Sequence, residues 1–224
     1  DEALIEFFYP APTFQFNQAA FIALSGADFG ATIDDTPVPI HQPIFVPANA
    51  TLRFTQKIKG HIGYLAIQGG LALNEWLNSF STNTRVAAGG LDGRNLMKGD
   101  LIAFKSKPPF LKETEGLQIL HWIADTKRLY QVERIRYLPG REFSLLNQAS
   151  QQFMTNAQFT IQADSDRMGY RLKGPLLRLK KPMELISSGV TNGTLQLLPS
   201  GQCIVLLADH QTTGGYPRIG HIIQ

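Results

Sequence analysis

Short apolar runs closed off by Gly, Pro, Asn or Asp succeed one another along nearly the whole chain, and that rhythm restricts it to a mainly β architecture. The runs fall at 14–16, 20–24, 44–46, 51–54, 64–67, 101–104, 119–123, 135–138, 159–161 and 195–198. Spacing of this kind reads as barrels or sandwiches. One helix is predicted in the second half: Ser144 serves as N-cap, and Leu145, Leu146, Ala149 and Phe153 fall near helical spacing before Asn156. Its expected role is to plug the end of a barrel.

At 224 residues the chain holds one large domain or two ordinary ones, with two preferred. A composition of 43% hydrophobic and 17% charged residues is that of a globular protein, and no apolar stretch approaches the roughly 20 residues of a membrane helix. The net charge is only +3 and the basic residues are scattered, which argues against nucleic acid as a partner. The one compact basic stretch, Arg178-Leu179-Lys180-Lys181, reads as a solvated face. Cys203 is the sole cysteine, so no disulfide forms within the chain; set in an apolar strand, its thiol is expected to act as a small hydrophobe with a raised pKa. With no signal segment at the start, a cytoplasmic location is expected. The first residue is Asp1, so the chain is expected to be a trimmed form of its gene product.

The densest polar chemistry follows the apolar run Ile204-Val205-Leu206-Leu207-Ala208, which leads straight into Asp209-His210-Gln211-Thr212-Thr213-Gly214-Gly215-Tyr216-Pro217. Gln211, Thr212 and Thr213 bring donors and acceptors, and the Gly pair permits backbone positions closed to other residues. A tight turn would account for Gly-Gly and Tyr-Pro, but a plain hairpin needs only two turn residues. If Asp209, His210 and Gln211 alternate along a strand end, Asp209 and Gln211 share one face and His210 points away.

Two other constellations carry charge. Asp164-Ser165-Asp166-Arg167-Met168-Gly169-Tyr170-Arg171-Leu172 reads either as a salt-bridged turn or as a ligand contact in which Asp166 and Arg167 aim a charge at an anion. Residues 82–94 join Arg85 and Arg94 to Gly89, Gly90 and Gly93, whose backbone N–H groups could meet an anion, although Gly-rich loops more often simply turn. The histidines at 41, 61, 121, 210 and 221 show no metal-ligand spacing, so no metal is expected. No serine-nucleophile elbow is present.

A faint internal repeat supports two halves. The segment 46–52 followed by Gly60 to Gly70 parallels 190–195 followed by Gly201 to Asp209, which would put Gln68 and Asp209 at equivalent strand ends. The expected division is a first β-barrel at 1–105, a connection at 106–131 and a second barrel at 132–224. Lys107-Pro108-Pro109, Lys112-Glu113 and Lys127-Arg128 mark the connection.

Several of these motifs, taken in order, resemble the biotin-dependent carboxyltransferase family, also called the allophanate hydrolase subunit 2 family. They are 166–172, then Ser187-x-Gly189-Val190 with Gly193-x-x-Gln196 and Pro199-x-Gly201, then 208–217. The first half agrees through Ala23-Leu24-Ser25-Gly26-Ala27-Asp28, 64–70, Ser81-Thr82, 89–94 and Gly99-Asp100. The resemblance covers nearly the whole chain. It implies two cyclophilin-like β-barrel domains with few short helices. It also implies an amide (lactam) hydrolase subunit that uses ATP, held by itself or by a companion subunit, to open 5-oxoproline to glutamate. On that basis Asp209 and Gln211 orient the substrate, with Thr212, Thr213, Gly214 and Gly215 as donors; one preorganised donor is worth about 3 to 4 kcal/mol. Arg167 meets an anion, and Asp166, Tyr216, Gln68, Arg85 and Arg94 complete the substrate contacts. Two other roles fit the same family: a urea-carboxylase-like carboxyltransferase that binds carboxybiotin, or a regulatory partner of the companion subunit. Family members usually extend beyond both ends of this chain, and His210 stands where Arg is usual.

Overall fold

The computed structural model describes residues 2–106, 116–126 and 134–223. The chain is mainly β and divides into two compact units, Asp1–Arg128 and Leu129–Gln224.

In the first unit the strands are β1 (Ile5–Phe8), β2 (Phe14–Gln15), β3 (Ala20–Asp28), β4 (Ala31–Ile33), β5 (Thr36–Pro37), β6 (Pro43–Val46), β7 (Thr51–Phe54), β8 (Lys59–Ile67) and β9 (Gln118–Ile119). They form a sheet of order β1-β8-β3-β6-β9 and a second of order β2-β7-β4-β5, both antiparallel. Along β3, Ala20, Ile22 and Leu24 alternate into the core, as a strand with one buried face requires. Phe7 from one sheet meets Phe14 and Phe54 from the other at ring-centroid distances of 6.0 and 4.7 Å, so aromatic burial ties the two sheets together. Gly63 lies opposite Phe7 in the ladder; a Cβ there would stand 2.6 Å from the Phe7 ring.

In the second unit the elements are β10 (Arg136–Pro139), helix α1 (Gln148–Asn156), β11 (Thr160–Ile161), β12 (Gly169–Lys173), β13 (Ser188–Gly189), β14 (Thr194–Leu197), β15 (Cys203–Leu206), β16 (Thr213–Gly214) and β17 (Arg218–Ile223). A six-stranded sheet runs β10-β17-β14-β15-β12-β11, and β13 pairs with β16 as a separate ribbon. Leu195, Leu197, Cys203, Val205 and Ile219 build the core with Leu146 and Leu177. Burial pushes the Cys203 thiol up to about 12, so it is a neutral core group at physiological pH.

The mainly β expectation holds, and among the described residues the sheets pair in open order with no closed barrel. Several other expectations are corrected. The helix starts at Gln148, not after Ser144: the Asn147 side chain accepts from Ser150 N at 2.8 Å and caps it, while Phe143–Leu145 form a 3-10 turn. Leu146 is buried in front of the helix and bridges to Leu179, so it anchors the entry rather than a helical face. The run at 101–104 contributes only a bridge between Leu71 and Phe104, and that at 119–123 only β9. The proposed repeat does not extend to pairing: β14 and β15 are neighbours in one sheet, whereas β7 and β8 belong to different sheets. Lys107-Pro108-Pro109, Lys112-Glu113 and Lys127-Arg128 lie outside the described residues. Between them, β9 pairs with β6, and Ala124 N donates to His41 O at 2.9 Å, which ties 118–124 to the first unit.

Candidate functional site

Strand β15 ends at Leu206, held on one side by β14 and on the other by β12. Beyond it the chain turns, with His210 N donating to Leu207 O at 3.1 Å. Asp209 and Gln211 are therefore not alternating strand residues, and the expectation that they share a strand face is replaced by two distinct centres.

The first centre is electrostatic. The pairing of β12 with β15 continues past their ends through Leu207 N to Met168 O and Asp209 N to Arg167 O, both 3.0 Å. That pairing brings the Arg167 Nε to 2.8 Å from Asp209 Oδ2, with both side chains about half exposed. Asp166 is committed to the turn: its Oδ1 accepts from Met168 N at 2.8 Å and Gly169 N at 3.3 Å. Arg171 reaches Asp164 at 3.5 Å on the surface.

The second centre is neutral. Gln211 Nε2 donates to Gln196 Oε1 at 3.3 Å, and a Cβ on Gly214 would lie 2.5 Å from Gln196 Nε2. The ribbon of β13 and β16 pairs Ser188 with Gly214 and Gly189 with Thr213, and Val190 N donates to Thr212 O at 3.1 Å. Thr212, Thr213 and Tyr216 are exposed. Neither Gly214 nor Gly215 has a positive φ, so a left-handed turn requires neither, and the remaining reason for a glycine is close approach. Only Gly214 meets that need, because a Cβ on Gly215 would find ordinary contacts at 3.4 Å.

Gln196 at this centre, and the ion pair of Glu142 and Arg218 beside it, were given no role from the sequence. Gln196 is buried on β14, and its Nε2 is the buried side-chain atom that lacks a partner among the described residues. Glu142 is also buried; it accepts from Arg218 N at 3.0 Å and from the Arg218 guanidinium at 3.4 Å, while Arg218 Nη1 donates to Gly189 O at 3.3 Å. This chain of contacts ties β13, and through it β16, to β17. Alternation hides Gln196, since a Gln between Leu195 and Leu197 reads as solvent-facing. Glu142 and Arg218 are 76 positions apart, and no local signal joins them.

The remaining candidates lie in the first unit. Gln68 is exposed just past β8, its backbone N donating to Phe21 O at 2.8 Å. Arg94 grips Asp100 with two hydrogen bonds, 2.8 and 2.9 Å, and Met97 N adds a third at 2.7 Å. The Arg94 hydrogen bond, followed by that from Met97, holds the Asp100 carboxyl down at about 2. Gly89, Gly90 and Gly93 pack at positive φ against Ser81, Thr82 and Ala87, which closes the loop on itself. Arg85 is exposed, its backbone N donating to Asn83 Oδ1 at 3.2 Å. Among the described residues no three His, Cys, Asp or Glu side chains gather as a metal site.

A 5-oxoprolinase subunit of Haemophilus influenzae is 37% identical over 211 residues, covering 94% of this chain and 65% of that protein, so the chain spans just under two thirds of its length. A putative urea carboxylase of Emericella nidulans is 30% identical over 176 residues, covering 76% of the chain and 14% of that protein. The crystal structure of TTHA0988 superimposes with a TM-score of 0.79 at 30% identity, covering 99% of this chain and 41% of that one. A family model described as the carboxyltransferase domain, subdomains A and B, matches residues 1–224, and the chain belongs to that family.

Proposed function

We propose that this chain is part of one subunit of an ATP-dependent 5-oxoprolinase, a cytoplasmic lactam hydrolase that works with companion subunits. The observation that carries this reading is the neutral centre at Gln196, Gln211 and Gly214, because paired amides and close-packed backbone suit a small neutral amide group better than a strongly charged one. The similarity to a 5-oxoprolinase subunit supports the same choice. In this reading each β-rich unit is the described part of a cyclophilin-like barrel.

Opening an unstrained lactam is demanding because the amide is resonance-stabilised, and phosphorylating its oxygen makes the ring carbon electrophilic. The lactam oxygen takes the terminal phosphoryl group of ATP and ADP departs. One water adds to the activated carbon, the C–N bond breaks and the nitrogen leaves as an amine. A second water hydrolyses the acyl phosphate to glutamate and phosphate. Gln211 orients the lactam beside Thr212 and Thr213, with Gly215 supplying a backbone donor, Gly214 allowing the close approach and Tyr216 covering them. The Arg167–Asp209 pair meets the substrate carboxylate or the transferred phosphate, with charge-assisted bonds doing the recognition. The nucleotide is assigned to the companion subunits, and Arg94, held by Asp100 through two hydrogen bonds, is given a structural part in the loop.

The test is to combine the full-length protein with its companion subunits and measure glutamate, ADP and phosphate from 5-oxoproline. Equal amounts of all three, dependent on this subunit, are expected. Turnover of urea with carboxybiotin, and none of 5-oxoproline, would replace this reading with the carboxyltransferase one.

A further inference from the structure

Strand β14 buries Gln196 with its side chain directed away from the leucines that flank it, under the ribbon that carries Gly214. A core position filled for packing alone would take Leu or Met. The Gln instead leaves Nε2 sealed and without a partner among the described residues, at a cost that a buried amide donor does not incur when it is bonded. What it gains is one contact, from Gln211 Nε2 to Gln196 Oε1. With its nitrogen held inward, Gln211 turns its carbonyl oxygen outward; among the described residues that oxygen has no protein hydrogen bond, and it is not one of the sealed atoms.

We infer that Gln196 is a positioning residue that fixes which end of the Gln211 amide a ligand meets, so that Gln211 presents an acceptor and reads an N–H group. The inference rests on the lactam-hydrolase reading and narrows it: the group read is the lactam N–H, and a lactam whose nitrogen carries a methyl group is rejected. Gly214 belongs to the same device, because any side chain there would strike the Gln196 amide.

The experiment uses the full-length protein with its companion subunits and compares kcat/KM for 5-oxoproline and N-methyl-5-oxoproline. Gln196→Met keeps volume and removes the acceptor. It is expected to lower kcat/KM for 5-oxoproline about tenfold, mostly through KM, and to shrink the preference over the N-methyl analogue, while the melting temperature holds or rises because a stranded donor has gone. In a Gln211→Ala background the same substitution should do almost nothing further, since Gln196 acts through Gln211. Side-chain amide NMR of the wild-type protein gives a reading that does not depend on turnover: the Gln211 NH2 should show the hydrogen-bonded shift and lose it in Gln196→Met. A hydrogen-bonded Gln196 NH2 beside an unbonded Gln211 NH2, an unchanged substrate preference, or additive effects in the double variant would overturn the inference. Absence of 5-oxoproline turnover by the wild-type complex would instead defeat the functional reading, and the NMR result would still decide the orientation.

Discussion

Gly214 and Gly215 are adjacent in the chain yet carry different constraints. A methyl on Gly214 would come within 2.5 Å of Gln196 Nε2, whereas one on Gly215 meets nothing closer than 3.4 Å. Gly214→Ala should therefore lower turnover of the reconstituted complex about tenfold, in the range of a displaced hydrogen-bonding group, while Gly215→Ala stays within about twofold. Steady-state kinetics on the two variants checks this, and equal effects would contradict it. Asp209 makes a different case. Its partner Arg167 is 45% exposed and Asp209 itself 49%, and ion pairs this wet contribute about 0 to 1 kcal/mol to stability. Asp209→Asn should shift the melting temperature by no more than a few degrees. If the carboxylate orients or deprotonates a reacting group, turnover should fall about 100-fold in the same variant. Wild-type turnover in Asp209→Asn would reduce the pair to a surface contact. Neither glycine could be ranked from the sequence, because the constraint on Gly214 comes from a residue on another strand.

Among the elements, the loop that ends at Asp100 has a pH response of its own. Asp100 ordinarily titrates near 3.8 and is held at about 2 by Arg94 and the Met97 N–H, so the folded loop binds its proton more weakly than the unfolded chain does. The sign follows: the stabilisation is complete above about pH 4 and is lost as pH falls toward 2. Hydrogen-exchange protection factors at residues 93–100, with the intrinsic pH dependence of exchange divided out, should therefore fall over that interval, and Asp100→Asn should abolish the acid-dependent step while lowering protection at neutral pH. An Asp100→Asn protein with the wild-type acid response would place the titrating group elsewhere. The helix and the ribbon show how far local patterns reach. A polar cap before an apolar stretch was readable, but Ser144 and Asn147 are both eligible caps, and the position of Leu146 in the core decides between them. The ribbon of β13 and β16 has no periodic signature, since two paired residues on each side are too few to show one.

For the molecule as a whole, the apolar runs and their turn residues were enough to establish a mainly β chain, and the ordered motifs were enough to establish its family. Both properties are local: strand alternation and turn chemistry are written in neighbouring residues, and a motif is read in order along the chain. Pairing is not local. The parallel between 46–70 and 190–209 looked like a duplication, yet β7 and β8 separate into two sheets while β14 and β15 join in one, because register depends on which partner edges are available. The polar run 209–216 was legible as a place of interest, and the structure divides it: Asp209 goes to Arg167, Gln211 to Gln196, and Gly214 lies over the Gln196 amide. Gln196 was legible only as part of a family motif, and its buried role was not, because alternation only says that a side chain faces away from the leucines. Whether that face meets water or a covering ribbon depends on where residues far along the chain fold back, and only the tertiary structure decides that.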